Sequence, residues 1–89
     1  MIQQSATIIN KLGLHARAAA KFVNVANKYQ SEIKVSRGDR NVNGKSIMGI
    51  MMLAASKGTE ILISINGEDE EDALSALQSL IQNRFDEAE

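Results

Sequence analysis

The stretch TEILISINGEDEEDALSALQSLIQNRF, residues 59–85, contains the strongest strand pattern and the strongest helix pattern of the chain. In residues 59–66 isoleucine recurs at every second position, which is the spacing of side chains on one face of a strand. Asn66-Gly67 is typical of a turn. In residues 70–85 apolar side chains recur at helical spacing, and acidic residues fill the first turn, where the helix dipole favours them. The stretch therefore predicts a strand followed by an amphipathic helix.

Weaker patterns upstream predict five further elements. They are a first strand in residues 2–9, a helix in 16–28, a hairpin of strands 32–36 and 41–43, and a shorter helix in 46–55. Ser46 is expected to cap the shorter helix, and its residues Ile50, Leu53 and Ala54 are expected to face the core. The resulting order is β-α-β-β-α-β-α. Few strands, with helices over one face, predict an α+β two-layer sandwich.

Composition excludes several classes of protein. The 89 residues are 44% hydrophobic and 24% charged, which predicts one globular domain spanning residues 1–89. With no cysteine and one histidine, neither a Cys-ligated metal site nor thiol catalysis is expected, and no metal or other cofactor is predicted. No apolar run approaches the ~20 residues of a membrane span, and no secretory pattern is present, so we expect a cytoplasmic protein without membrane insertion.

Charge is distributed unevenly along the chain. Residues 1–66 carry a net charge of +6 and residues 67–89 a net charge of −7, for a total of −1. This asymmetry could attract an acidic partner to the basic part, but for the acidic run at residues 68–72 we favour the simpler interpretation that it suits the positive end of a helix. The pI of about 5.8 and the three aromatic residues argue against a nucleic-acid-binding protein.

The single histidine, His15, immediately precedes the first helix. No residue of the segment 12–15 is a good N-cap, so the first amides of this helix are expected to lack a side-chain acceptor and to bind an anion. Arg17 can bind phosphate oxygens through its forked guanidinium, and Gly13 permits an unusual turn beside it.

Neutral imidazole is a competent nucleophile around neutral pH. No metal or carboxylate partner for His15 is evident in the sequence. The pattern therefore favours a phosphoryl carrier that other proteins load and unload, rather than an autonomous enzyme. A plain alternative remains, in which His15 is only an exposed residue at a helix start.

Flexible thioethers suit a surface that contacts several different partners. Helical geometry turns part of the shorter helix away from the core, which predicts a partner-binding surface. We place in this surface Ile47, Met48 and Met51 from the shorter helix, with Ala20, Lys21 and Asn24 from the first helix.

Residues 10–19, NKLGLHARAA, resemble the active-site motif of the histidine-containing phosphocarrier (HPr) family of the bacterial phosphotransferase system. Residues 44–50, GKSIMGI, resemble the second motif of that family, and the order of elements matches over essentially the whole chain. The family has proline after the arginine where this chain has Ala18, a good helix former that should preserve the first turn. The resemblance implies an open-faced two-layer β-sandwich, with a four-stranded antiparallel sheet covered on one face by three helices.

The resemblance also implies a set of roles and partners. Enzyme I, charged by phosphoenolpyruvate, would phosphorylate His15 on Nδ1, with Arg17 and the backbone amides of Ala16 and Arg17 holding the phosphoryl group. An EIIA-type protein would then accept the group. Ser46 would be a regulatory site for an HPr kinase/phosphorylase. We expect a monomer.

Two alternatives stay open. The chain could act mainly as a regulatory interaction module whose partner binding depends on phosphorylation. It could also belong either to a sugar-uptake branch or to a nitrogen branch of the phosphotransferase system, because its ending Phe85-Asp86-Glu87 and its motif around Ser46 favour different branches.

Overall fold

The seven predicted elements form in the predicted order, and a single 3-10 turn follows them. The computed structural model describes residues 1–89. The elements are β1 (Ile2–Thr7), α1 (Ala16–Ala26), β2 (Glu32–Arg37), β3 (Arg40–Asn43), α2 (Ile47–Met52), β4 (Glu60–Asn66), α3 (Glu70–Gln82) and the 3-10 turn η1 (Arg84–Asp86).

The four strands form one antiparallel sheet in the order β1-β4-β2-β3. In the central strand β4, Ile63 lies opposite Gln4 of β1 and Val35 of β2. Ile61, Ile63 and Ile65 are buried, while the residues between them are partly exposed. The alternation in β4 therefore marks a sheet with one packed face and one face toward solvent, which confirms the predicted open-faced sandwich.

Helix α1 contributes a row of buried side chains to the core of the sandwich. Ala18, Ala19, Phe22, Val23 and Ala26 are buried. Ala16, the first residue of the helix, is exposed, although its side chain is apolar. The α1 face therefore begins at Ala18, and the first turn is left accessible to solvent.

Helix α2 is shorter than predicted. It ends at Met52, and Ala54 is exposed with a φ of +52°, so the prediction that Ala54 faces the core is wrong. Ile50 and Leu53 are fully buried, as predicted. Arg37 donates from Nη1 to the carbonyls of Leu53 and Ala54 at 3.0 and 3.3 Å. These bonds satisfy carbonyls that the end of the helix leaves free.

The C-terminal helix also ends earlier than its periodicity predicts. α3 stops at Gln82, and Arg84, Phe85 and Asp86 all have positive φ, between +54° and +62°. Arg84 is therefore exposed and not part of the apolar face, whereas Phe85 is fully buried. Burial of a phenylalanine ring contributes up to about 3 kcal/mol, which offsets part of the cost of this turn. The turn directs residues 87–89 back across the start of α1.

No helix of the structure combines the length and the apolar character needed to cross a membrane.

Candidate functional site

His15 is the N-cap residue of α1 and provides no side-chain cap. Its backbone is extended (φ −74°, ψ 177°), and its carbonyl accepts the first helical hydrogen bond, from Ala19 N at 2.8 Å. The amides of Ala16, Arg17 and Ala18 have no hydrogen-bond partner within the protein. The predicted uncapped helix start is therefore confirmed. Three amides at the positive end of the helix dipole are available to an anion.

The loop before His15 is held in a specific shape by two backbone contacts and one side-chain hydrogen bond. Gly13 has a φ of +68° and lies so close to residue Ala55 that a Cβ would come within 2.5 Å of the Ala55 carbonyl oxygen. Leu14 N donates to the same oxygen at 2.9 Å, and the Asn10 side chain donates to the Gly13 carbonyl at 2.8 Å. Only glycine accommodates both the turn and the close approach. The loop thereby fixes the backbone position of His15 at the start of α1.

The His15 ring has a carboxylate partner that the sequence did not reveal. His15 Nε2 is hydrogen-bonded to Glu87 Oε2, and Asn10 Nδ2 donates to Glu87 Oε1 at 3.0 Å. The inference that no carboxylate partner exists is therefore wrong. Seventy-two positions separate the two residues in the chain. The available signal was the acidic C-terminal segment, of which only residues 68–72 were related to a structural feature, the start of a helix.

The surroundings of the Glu87 carboxyl shift its pKa in two opposite directions. Burial raises its pKa, but the hydrogen bonds from Asn10 and His15, together with the electrostatic attraction of the His15 ring and of Lys21, lower it further than burial raises it. The net result is a pKa below the usual range for glutamate, so the carboxylate is ionised near neutral pH. In that form it can only accept a hydrogen bond from the imidazole.

The site opens into a cleft of about 850 Å³ between the start of α1 and the C-terminal tail. Two of its lysines are engaged: Lys21 Nζ donates to the Phe85 carbonyl at 2.7 Å, and Lys11 Nζ pairs with Glu89 at 3.2 Å. Arg17 lines the same cleft, is exposed, and makes no hydrogen bond or ion pair. Its guanidinium is free to bind an incoming phosphoryl group.

The side chain of His15 is 27% exposed, so solvent and partners can reach the ring. Its Nδ1 has no hydrogen-bond partner, unlike Nε2. No group of three or more metal-ligating side chains is assembled in the structure.

Ser46 occupies the N-cap position of α2, as predicted. Its Oγ accepts a hydrogen bond from Gly49 N at 3.1 Å, and its backbone is extended. The neighbouring Lys45 donates from Nζ to the Tyr29 carbonyl at 2.7 Å, which ties this end of α2 to the loop after α1.

Four side chains of α2 form an exposed apolar patch, with exposed fractions of 42% for Ile47, 69% for Met48, 39% for Met51 and 65% for Met52. Met52 was not included in the predicted surface. Helices α1 and α2 pack against each other. On α1, Asn24 is exposed, whereas Ala20 and Lys21 are half-buried.

Comparison with known proteins is consistent across sequence and structure. The family model described as "PTS HPr component phosphorylation site" matches residues 2–83. The phosphocarrier protein HPr of Pseudomonas aeruginosa is 61% identical over 84 residues, which cover 93% of each chain. The crystal structure of HPr-C-His from Thermoanaerobacter tengcongensis superposes with a TM-score of 0.96 at 47% identity over the whole of both chains. A dimeric HPr structure from that organism gives a TM-score of 0.79 at 48% identity, covering 98% of this chain and all of that one.

The family model covers nearly all of the chain, and the structure places the single histidine, partly exposed, at an uncapped helix start. Two phosphocarrier relatives are more than 50% identical to this chain, over at least 93% of both chains. The chain belongs to the HPr family, the phosphocarrier proteins of the phosphotransferase system.

Proposed function

We propose that the chain accepts a phosphoryl group from Enzyme I on Nδ1 of His15 and passes it to an EIIA-type protein. One observation supports this assignment above all: the Glu87 carboxylate engages Nε2, so Nδ1 is the ring nitrogen left without a partner. The ring is accessible and lies at a helix end with three unpaired amides. These are the groups that a transferred anion requires.

The transfer is balanced without a cofactor. The Nδ1 lone pair attacks phosphorus while the bond from phosphorus to the donor atom of Enzyme I breaks, and the bonding pair stays on that atom. Charge that spreads over the phosphoryl oxygens is met by the Arg17 guanidinium and by the amides of Ala16 and Arg17. The same groups hold the phosphoryl oxygens in the onward transfer, in which a nucleophile of the acceptor attacks phosphorus and the bond to Nδ1 breaks.

Incubation with Enzyme I and labelled phosphoenolpyruvate tests the acceptor residue. We expect acid-labile, base-stable label on the wild-type chain and none on the His15→Ala variant. Arg17→Ala should slow labelling by about tenfold while the unfolding midpoint stays the same, because this side chain makes no contact that stabilises the fold. Label that persists in His15→Ala would refute the assignment.

The partner surface is proposed to consist of Ile47, Met48 and Met51 on α2 with Ala20, Lys21 and Asn24 on α1. Exposure of the α2 side chains supports it, because an apolar patch on a small domain is typical of an interaction site. Met48→Glu should weaken binding of Enzyme I, and Lys57→Glu, in the loop before β4, is a matched control. Equal binding by both variants would contradict this surface.

Phosphorylation of Ser46 by an HPr kinase/phosphorylase is proposed as regulation of that surface. The Ser46 Oγ is an N-cap acceptor, so a phosphate there would keep the helix but add about two negative charges beside the apolar patch. Ser46→Asp should reduce the rate of transfer from Enzyme I relative to Ser46→Asn. The alternative, a regulatory interaction module, predicts instead that partner binding and its control by Ser46 survive in His15→Ala.

A monomer in the cytoplasm is proposed as the working form. Strand β1 pairs along its whole length with β4 of the same chain, which supports a self-contained fold, and the absence of cysteine fits a reducing compartment. Light scattering on the purified chain tests the oligomeric state, since a dimer, as in one solved relative, doubles the mass.

A further inference from the structure

The C-terminal tail is held over α1 by contacts that do not involve the Glu87 side chain. Phe85 is fully buried and its carbonyl accepts a hydrogen bond from Lys21 Nζ at 2.7 Å. Beyond Glu87, the amide of Lys11 donates to the Glu89 carbonyl at 2.7 Å. The backbone is therefore fixed on both sides of Glu87. A change to the Glu87 carboxylate should leave the tail in place.

Both oxygens of the Glu87 carboxylate have defined partners. Oε1 accepts from Asn10 Nδ2 and Oε2 is hydrogen-bonded to His15 Nε2. Asn10 is fully buried, and the same Nδ2 donates to the Gly13 carbonyl. The buried amide thus connects the loop that positions His15 to the carboxylate that contacts its ring. The Glu87 side chain is only 14% exposed, so water competes weakly for this contact.

An ionised carboxylate can only accept hydrogen bonds, so its partner Nε2 must carry a hydrogen. In the neutral ring the lone pair is then on Nδ1. We propose that Glu87 is a positioning residue that holds His15 as the Nε2–H tautomer and stabilises the positive charge that the ring gains when Nδ1 takes the phosphoryl group. This inference rests on the proposed function of His15.

The proton balance follows from the geometry. Nε2 keeps its hydrogen while Nδ1 forms its bond to phosphorus, so the phosphorylated ring is cationic and faces the Glu87 carboxylate. When an acceptor attacks phosphorus, the P–Nδ1 bond breaks and its electron pair returns to Nδ1. The leaving group is then a neutral imidazole with its hydrogen still on Nε2, and no proton is exchanged with solvent. Glu87 therefore acts through the ring in both directions of transfer.

Three variants separate this role from a structural one. Glu87→Ala removes the acceptor, Glu87→Gln keeps an acceptor oxygen without the charge, and Glu89→Gln removes a nearby exposed carboxylate of the same tail. Nitrogen-15 spectra of the His15 ring report which ring nitrogen carries the hydrogen. We expect a deshielded, slowly exchanging Nε2–H in the wild type, in Glu87→Gln and in Glu89→Gln, and its loss in Glu87→Ala.

Rates of phosphoryl transfer from Enzyme I give the second readout. Glu87→Ala should lower the rate about tenfold, which corresponds to about 1.4 kcal/mol of transition-state stabilisation, while Glu89→Gln stays at the wild-type rate. Glu87→Gln should fall between them, because it orients the ring but does not balance its charge. An unchanged or faster rate in Glu87→Ala, or an unchanged Nε2–H signal in that variant, overturns the inference.

The two proposals fail in distinguishable ways. Label absent from His15 in the wild type would refute the phosphorylation site, and the nitrogen-15 spectra would still report the contact with Glu87. Label on His15 with no dependence on Glu87 would refute the positioning role alone.

Discussion

Replacement of Gly13 by alanine is the sharpest test of how the backbone shapes the site. Gly13 has a φ of +68°, and a Cβ at this position would lie 2.5 Å from the Ala55 carbonyl oxygen and 2.8 Å from Ser56 Cα. Both neighbours are backbone atoms, which cannot rotate away as a side chain can. The loop before His15 must therefore move if alanine is introduced.

The expected cost has three parts. The left-handed conformation costs a β-carbon residue about 1–2 kcal/mol. Displacement of the loop weakens the hydrogen bond from Leu14 N to Ala55 O, now 2.9 Å, at a cost of about 1 kcal/mol. The forced rearrangement of packed backbone adds about 1 kcal/mol or more. Gly13→Ala should thus lower the free energy of unfolding by about 3–4 kcal/mol.

Gly38→Ala is the matched control, because Gly38 has a φ of +60° but no atom lies within 4 Å of the place that a Cβ would occupy. Gly38→Ala should lower the free energy of unfolding only by the cost of the left-handed conformation, about 1–2 kcal/mol. Urea unfolding of both variants measures the difference, with the slope m checked for a two-state transition. Gly13→Ala should also slow phosphoryl transfer, whereas Gly38→Ala should not. Equal destabilisation of the two variants would refute the argument that close approach, rather than φ, requires glycine at position 13.

Two smaller predictions concern the N-cap residues of two helices, Ser46 at the start of α2 and Asp69 at the start of α3. Ser46→Ala removes the acceptor for Gly49 N and should destabilise the fold by about 1 kcal/mol in urea unfolding, whereas Ser46→Asn should lose less than half of that. Hydrogen bonds from Ser31 and from the Gln30 amide hold the pKa of Asp69 below its usual value of 3.8, so the stabilisation it provides is present above that pH and is lost as the pH falls through the lower folded-state pKa. Asp69→Asn should therefore have a lower free energy of unfolding than the wild type at neutral pH, and this difference should become smaller in acid. Urea unfolding at several pH values measures it, and a difference independent of pH would contradict the prediction.

Local pattern was sufficient for most of the fold. Residues 59–66 predicted the central strand because a sheet with one packed face imposes a strict two-residue period. The uncapped start of α1 could be predicted as well, since it depends only on which residue types occupy positions 12–15. Both features are determined within a few residues along the chain.

The end of α3 could not be predicted in the same way. Arg84 and Phe85 continue the helical period, and nothing nearby breaks it, yet the helix stops at Gln82. The cause is tertiary: burial of the Phe85 ring and the bond from Lys21 Nζ to its carbonyl favour a turn with positive φ. Because that turn brings Glu87 to His15, the carboxylate of the site was missed together with the turn.

The position of the tail also explains how a chain with segregated charge can build an anion site. The basic residues of the cleft face an acidic tail, and Lys11 and Lys21 are already engaged by it. A phosphoryl group that depended on those lysines would first have to displace their partners.

Arg17 has no such partner. The free amides at the start of α1 also lack one, since no carboxylate of the tail accepts a hydrogen bond from them. The tail therefore engages Lys11 and Lys21 and contacts Nε2 of the His15 ring. It leaves Nδ1, the amides at the start of α1 and the Arg17 guanidinium available to a ligand. The charge that remains uncompensated lies where a transferred phosphoryl group would be held.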